Sequence, residues 1–226
     1  MEHTMRIDII SAVPELLTGP LDHSIVGRAR KANKVDIVIH DLRRYSTDKH
    51  RKVDDYPFGG GAGLVMSPQP IFDCIEPLLK QRTYDQVLFP TPDAPVLTQH
   101  TVNTLSLCRN LILLCGHYKG VDQRVRDELV TMEVSVGDYV LSGGELPAMM
   151  IVDGIVRLLP GVLGDAESAL DDSFQDGFLS APVYTRPARF RGLDIPEVLT
   201  SGNHEAIRKW REKKARERTR DIRPDL

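Results

Sequence analysis

The chain has 226 residues, 41% of them apolar and 27% charged, the proportions of an ordinary globular protein, which exclude wholesale disorder and a fibrous repeat. Its 29 basic and 32 acidic side chains leave a net charge of -3, so no global excess of positive charge marks a nucleic-acid partner. The distribution is uneven: residues 176–226 hold 12 of the basic and 8 of the acidic groups, a basic tail on a mildly acidic body that could hold a polyanion locally.

The 3 cysteines, Cys74, Cys108 and Cys115, are odd in number and lack CxxC spacing. This argues against a disulfide framework or structural zinc and fits a reducing cytoplasm. The longest strictly apolar run, Leu111–Cys115, is far short of the roughly 20 residues that cross a bilayer. Asp8 and Pro14 interrupt the only early apolar stretch, so no secretory signal is expected.

In chain order, Met5–Ser11 reads as a strand, Ile25–Asn33 as a helix and Val35–His40 as a second strand. Helical spacing returns at Pro68–Lys80, a strand at Gln86–Phe89, a helix at Thr98–Leu107, a strand at Leu111–Cys115, a helix at Asp122–Val130 and a strand at Met132–Val136. Strands alternating with helices predict an α/β fold, a parallel sheet with helices on both faces. Glu145–Leu159 has a broad apolar face and is stopped by Pro160-Gly161, with Asp153 and Arg157 spaced for an i,i+4 ion pair. Gly164–Gly177 is acidic and rich in small residues and reads as a mobile linker. Asn203 is placed to cap a helix running to about Arg218. The predicted domains are therefore 1–163, a linker at 164–177, and a small, mainly helical domain at 178–226.

Three glycine-bearing segments and one basic run are the candidates for the chemistry. Phe58-Gly-Gly-Gly-Ala-Gly63 permits positive φ and close ligand approach, but no Gly-Lys-Ser/Thr follows and no strand leads in, so neither nucleotide fingerprint fits. A flexible turn explains it equally well. Leu114-Cys-Gly-His-Tyr-Lys-Gly-Val-Asp122 is a strand running into a turn, the place where open α/β sheets bind ligands. Cys115 and His117 alone are too few for a metal site. Val136-Gly-Asp-Tyr-Val-Leu-Ser-Gly-Gly-Glu-Leu-Pro147 is the densest signal, because its glycines exceed what one turn needs; backbone groups there could bond an adenine edge. Glu145 at the helix start also has a purely local explanation in the dipole. The basic run from Arg208 to Arg220 with Trp210 could track phosphates or be a solvated face relieved by Glu205, Glu212 and Glu217.

Tyr56-Pro-Phe-Gly-Gly-Gly-Ala-Gly, Cys115-Gly-His-Tyr-Lys-Gly-Val-Asp, Ser135-Val-Gly-Asp-Tyr-Val-Leu-Ser-Gly-Gly-Glu-Leu-Pro-Ala, Leu159-Pro-Gly-Val-Leu-Gly, Asp172-Ser-Phe, Tyr184-Thr-Arg-Pro and Leu199-Thr-Ser-Gly-Asn-His, in this order, resemble the bacterial tRNA (guanine-N1)-methyltransferases. The resemblance spans Met5 to Pro224. It implies a trefoil-knotted α/β methyltransferase of the SPOUT type, a topology that general connection rules would not suggest. It further implies a cytoplasmic homodimer that uses S-adenosyl-L-methionine to methylate N1 of guanosine 37 of tRNA, with no membrane or DNA partner. Another RNA, such as rRNA, is the alternative substrate.

By the same resemblance, three loops form the cofactor pocket: Phe89, Pro90, Thr91 and Pro92; Gly116, Tyr118 and Gly120; and Val136, Gly137, Tyr139, Leu141, Gly143 and Gly144. Phe58, Gly59, Gly60, Ser168, Arg186 and Arg208 fall at substrate positions, Asp172 at the general base and Arg157 at the motif arginine. Family members commonly carry Glu where this chain has Lys119, so Mg2+ is a conditional second cofactor, and no protein metal site is expected. Phe89 replaces a common Tyr, losing a hydroxyl and keeping the ring. Guanine N1 bears a proton at neutral pH, so methylation needs a base positioned to remove it and a cation near O6, where negative charge develops.

Overall fold

The computed structural model describes residues 4–164 and 172–226. The chain divides into two compact units, Met1–Gly164 and Asp165–Leu226. Ser168 and half of the expected linker, residues 165–171, lie outside the described residues.

The first unit is built on five parallel strands, β1 (Met5–Ser11), β2 (Val35–Asp41), β5 (Gln86–Pro90), β6 (Asn110–Leu114) and β7 (Met132–Val134), in the order β2-β1-β6-β5-β7. The short β3 (Asp54–Asp55) and β4 (Val65–Met66) pair antiparallel around the glycine-rich loop. In β1, Ile7 pairs with Ile37 of β2 and Leu111 of β6, which places the first strand inside the sheet.

Alternation along the strands divides the core in two. Ile7, Ile9, Leu88, Leu111 and Leu113 face α1 (Glu15–Leu21), α2 (Ser24–Lys31), α4 (Gln99–Ser106) and α6 (Glu145–Val156). Ile10, Val87, Phe89, Ile112 and Leu114 face α3 (Pro68–Gln81) and α5 (Gln123–Glu128). Strands covered on both faces have to be apolar on both, which is why these read as near-continuous β-branched runs.

All five expected strands form, with ends shifted by a residue or two. α6 stops at Val156, before Pro160-Gly161, and Arg157 caps it. α1 was not expected: it is a seven-residue helix with Pro20 inside, held by the burial of Leu17 and Leu21.

In the second unit, a hairpin of β8 (Arg189–Phe190) and β9 (Leu193–Asp194) precedes α7 (His204–Ile222). The Asn203 side chain accepts a hydrogen bond from the Ala206 N–H at 3.0 Å, the cap that its sequence position suggested. Within this unit Thr219 is buried, and its hydroxyl accepts from the Leu179 N–H at 2.9 Å.

Candidate active site

β5, β6 and β7 are neighbours, and their carboxyl ends release three loops on one edge of the sheet. The hydrogen bonds that fix those loops join them to one another. Thr91 N–H donates to Val134 O at 3.0 Å, Leu97 N–H to Ser135 O at 2.7 Å, and Gly144 N–H to Gly116 O at 2.7 Å. His117 and Gly143 form an isolated antiparallel bridge. Between the loops lies a cleft of about 300 Å³, in the size range of small-ligand sites.

Phe89, Pro90, Thr91, Pro92, Gly116, Tyr118, Gly120, Val136, Tyr139, Leu141, Gly143 and Gly144 all line this cleft. Gly137 belongs to the same loop with φ 146° but is not part of the wall. Gly144 is where the backbones come closest: a Cβ there would stand 2.9 Å from Cys115 Cα and 2.8 Å from Gly116 N. No other residue fits the contact.

The walls also contain Arg126, which sequence reasoning did not place. Arg126 donates to both carboxylate oxygens of Glu133, at 2.6 and 2.7 Å, and to Asp93 at 3.0 Å. Its guanidinium lies 5.6 Å from the centroid of the Phe89 ring, a cation–π contact that fixes the ring as one wall. The Glu133 hydrogen bond, working against partial burial, holds the Arg126 pKa above the usual arginine value. Tyr118 takes φ 60° in its turn, and its hydrogen bond to Asp54 raises the phenol pKa. Buried Glu145 meets His117 and Ser11 directly behind the cleft. Such pairs join distant segments and leave no local signature.

The glycine-rich loop behaves as its composition predicts. Gly59, Gly60, Gly61 and Gly63 all have φ between 81° and 108°. Phe58 is fully exposed, and the aliphatic stem of Lys119 lies over Gly63. Cys115 is wholly buried, and His117 is committed to Glu145, so the pair does not form a metal site. Among the described residues no group of three or more His, Cys, Asp or Glu side chains could hold a metal ion.

A family profile described as tRNA (Guanine-1)-methyltransferase TrmD matches residues 5–226. The chain belongs to this family. Curated relatives carrying the name tRNA (guanine-N(1)-)-methyltransferase agree over nearly full length. The one from Flavobacterium psychrophilum is 58% identical, covering 98% of this chain and 99% of its own. That from Christiangramia forsetii is 56% identical, covering 98% of each chain, and that from Bacteroides fragilis 54%, covering 98% of this chain and 99% of its own.

The remaining positions singled out from the tRNA (guanine-N1)-methyltransferase pattern are distributed over both units. Arg157 is partly buried at the end of α6 in the first. Asp172 belongs to the second, where it lines a shallow hollow with Asp176, Phe178, Arg211 and Ala215. Arg186 is exposed there, as is Arg208, which pairs with Glu212 at 2.6 Å along α7. Lys209 pairs with Glu205 at 2.7 Å and Lys214 with Glu217 at 2.7 Å, so acidic neighbours do relieve the basic run. Exposed pairs of this kind exchange readily for other anions, because each contributes little. Trp210 packs at 6.4 Å from the Tyr184 ring.

Proposed function

We propose that the protein transfers a methyl group from S-adenosyl-L-methionine to N1 of guanosine 37 of tRNA. The observation that carries this reading is the cleft itself: three loops from adjacent strand ends, walled by peptide groups and glycines, in a chain that matches the tRNA (guanine-1)-methyltransferase family over residues 5–226.

The wall residues fit the cofactor. Phe89, Pro90, Leu141 and Pro147 offer apolar surface for an adenosine, while Arg126 at the wall is neutralised by Glu133 and Asp93, so it does not repel a cationic ligand. When bound, S-adenosylmethionine would supply an electrophilic methyl group on a sulfonium. Asp172 accepts the proton from guanine N1, and Arg157 stabilises the charge that collects on O6. The glycine-rich loop with Phe58, Gly59 and Gly60 receives the guanine, and Arg186, Arg208 and Ser168 contribute to the RNA surface. Holding the two reactants in line supplies much of the rate.

The reading includes a trefoil knot in the first unit, a cytoplasmic location and a homodimer with the active site at the subunit interface. Leu146 and Met150, one turn apart on α6, are each about half exposed, which supports a second copy as the cover for that ridge. No helix among the described residues is long and apolar enough to cross a membrane.

The test is transfer of label from methyl-labelled S-adenosylmethionine to tRNA transcripts carrying G or A at position 37, with rRNA as a parallel substrate. Label is expected only on the G37 transcript. Equal labelling of the A37 transcript, or preferential labelling of rRNA, overturns the assignment.

A further inference from the structure

Glu145 is the first residue of α6 and is 1% exposed, yet it does not touch the cleft. Its carboxylate is reached from two other segments. Ser11, the last residue of β1, donates its hydroxyl to Oε1 at 2.6 Å. His117, in the turn after β6, brings Nε2 to 2.9 Å from Oε1 and 2.8 Å from Oε2, although Oε2 makes no hydrogen bond of its own. The couple is packed to the limit: a Cβ on Gly143 would stand 2.6 Å from His117 Cε1 and 2.7 Å from Glu145 Oε2.

A carboxylate this deep is costly to bury unless its partners are well placed, and well-packed neutral residues commonly stabilise a fold as much. Structural need alone therefore gives a weak account of it. The position of the couple gives a better one. His117 and Gly143 both line the cleft, and they belong to the two turns whose separation sets its width.

We propose that Glu145 is a positioning residue for the cofactor cleft: bonded to Ser11 and His117, it fixes the spacing of the turns at residues 116–120 and 137–144. The proposal rests on the reading of that cleft as an S-adenosylmethionine site. Glu145 acts through His117 and touches neither reactant. Without the carboxylate the chain still folds, but the two turns sample wider separations, and the bound nucleoside has to restore the narrow one.

The experiment is calorimetric titration of S-adenosylmethionine into wild type, Glu145→Gln, His117→Ala, His117→Gln and the Glu145→Gln/His117→Ala double variant, with Tm recorded for each. Glu145→Gln, which keeps the shape of the side chain, is expected to weaken binding about 10-fold with little change in Tm, and His117→Ala to weaken it by a similar factor while also lowering Tm, because the buried Glu145 then keeps only Ser11. His117→Gln, which keeps an N–H donor, should recover most of the affinity. The double variant should be no worse than either single change, because both break one coupling.

Affinity unchanged within twofold in a folded Glu145→Gln protein overturns the proposal. So does a loss of affinity that tracks a loss of Tm across the series, which is the mark of a purely structural role. If Glu145→Gln does not fold, Ser11→Ala decides in the same way, since it leaves Glu145 and His117 in place. Failure of wild type to bind S-adenosylmethionine would instead sink the cofactor reading.

Discussion

Asp8 shows how one residue can carry a charge into a core. It is wholly buried, and burial alone would oppose ionisation. Hydrogen bonds from Arg6, His40 and Tyr84 outweigh that effect and hold its carboxyl well below the usual range. Arg6 contacts it at 2.7 Å, His40 at 2.6 Å and Tyr84 at 2.7 Å. The lowered value means that the carboxylate contributes fully above the ordinary value of 3.8, and that this contribution is lost as pH falls from there toward the folded value. Asp8→Asn should therefore destabilise the protein at pH 7 by about 3–5 kcal/mol, the cost of breaking a buried pair. In urea titrations the gap from wild type should shrink below about pH 4, following the unprotonated carboxylate. A gap constant with pH would show that packing, not charge, is responsible. The thiols obey the same logic. Burial, with Tyr45 opposing it, pushes the Cys74 pKa up to about 12, and burial together with Glu145 raises that of Cys115 well above the ordinary thiol value. Thiol titration of native protein should find only the half-buried Cys108 reactive, the other two appearing on unfolding.

At the scale of elements, α6 does the most work. It packs against α1, α2 and α4, and its Ile151, Val152, Ile155 and Val156 are completely buried. Ile155→Ala should cost about 2–5 kcal/mol, read from denaturant midpoints. Gly144→Ala, at the residue before this helix, is expected to weaken cofactor binding and to lower stability by about 1–3 kcal/mol, since its Cβ would meet backbone rather than a yielding side chain. α6 and the five strands were legible in the sequence because burial on both faces of a parallel sheet leaves long apolar runs. α1 was not, because Gly19 and Pro20 disguise a helix that tertiary contact sustains. Of the loops around the cleft, the one at 136–144 was legible for a related reason: a wall made of peptide groups needs glycine, and Gly143-Gly144 records that need, whereas Phe89–Pro92 was placed by the family resemblance alone. Arg126 over Phe89 and Glu145 behind His117 were invisible, because each pairing is made by the fold between segments with no spacing rule.

For the whole molecule, the proposed reaction draws on residues of both units: the cleft and Arg157 belong to the first, Asp172 to the second. Asp172→Asn should keep S-adenosylmethionine affinity while lowering single-turnover methyl transfer about 10²–10⁴-fold, the usual contribution of a positioned base. Full activity in that variant would remove Asp172 from the mechanism. The exposed Leu146 and Met150 make a second prediction at this scale. Leu146→Lys should yield monomers in sedimentation experiments and a parallel loss of methyl transfer, whereas an unchanged sedimentation coefficient would place the interface elsewhere. The interior location of β1 has a consequence for synthesis. Its two neighbours are β2, which follows directly, and β6, more than half-way along the first unit, while α6 closes its inner face later still. A nascent chain emerging at about 5–20 residues per second would hold one side of that first strand unpaired for several seconds, on the order of ten before α6 arrives. Throughout that interval the growing polypeptide presents a bare, β-branched edge to the crowded ribosome exit, an opening for chaperone capture that ends only when its distant partners are translated.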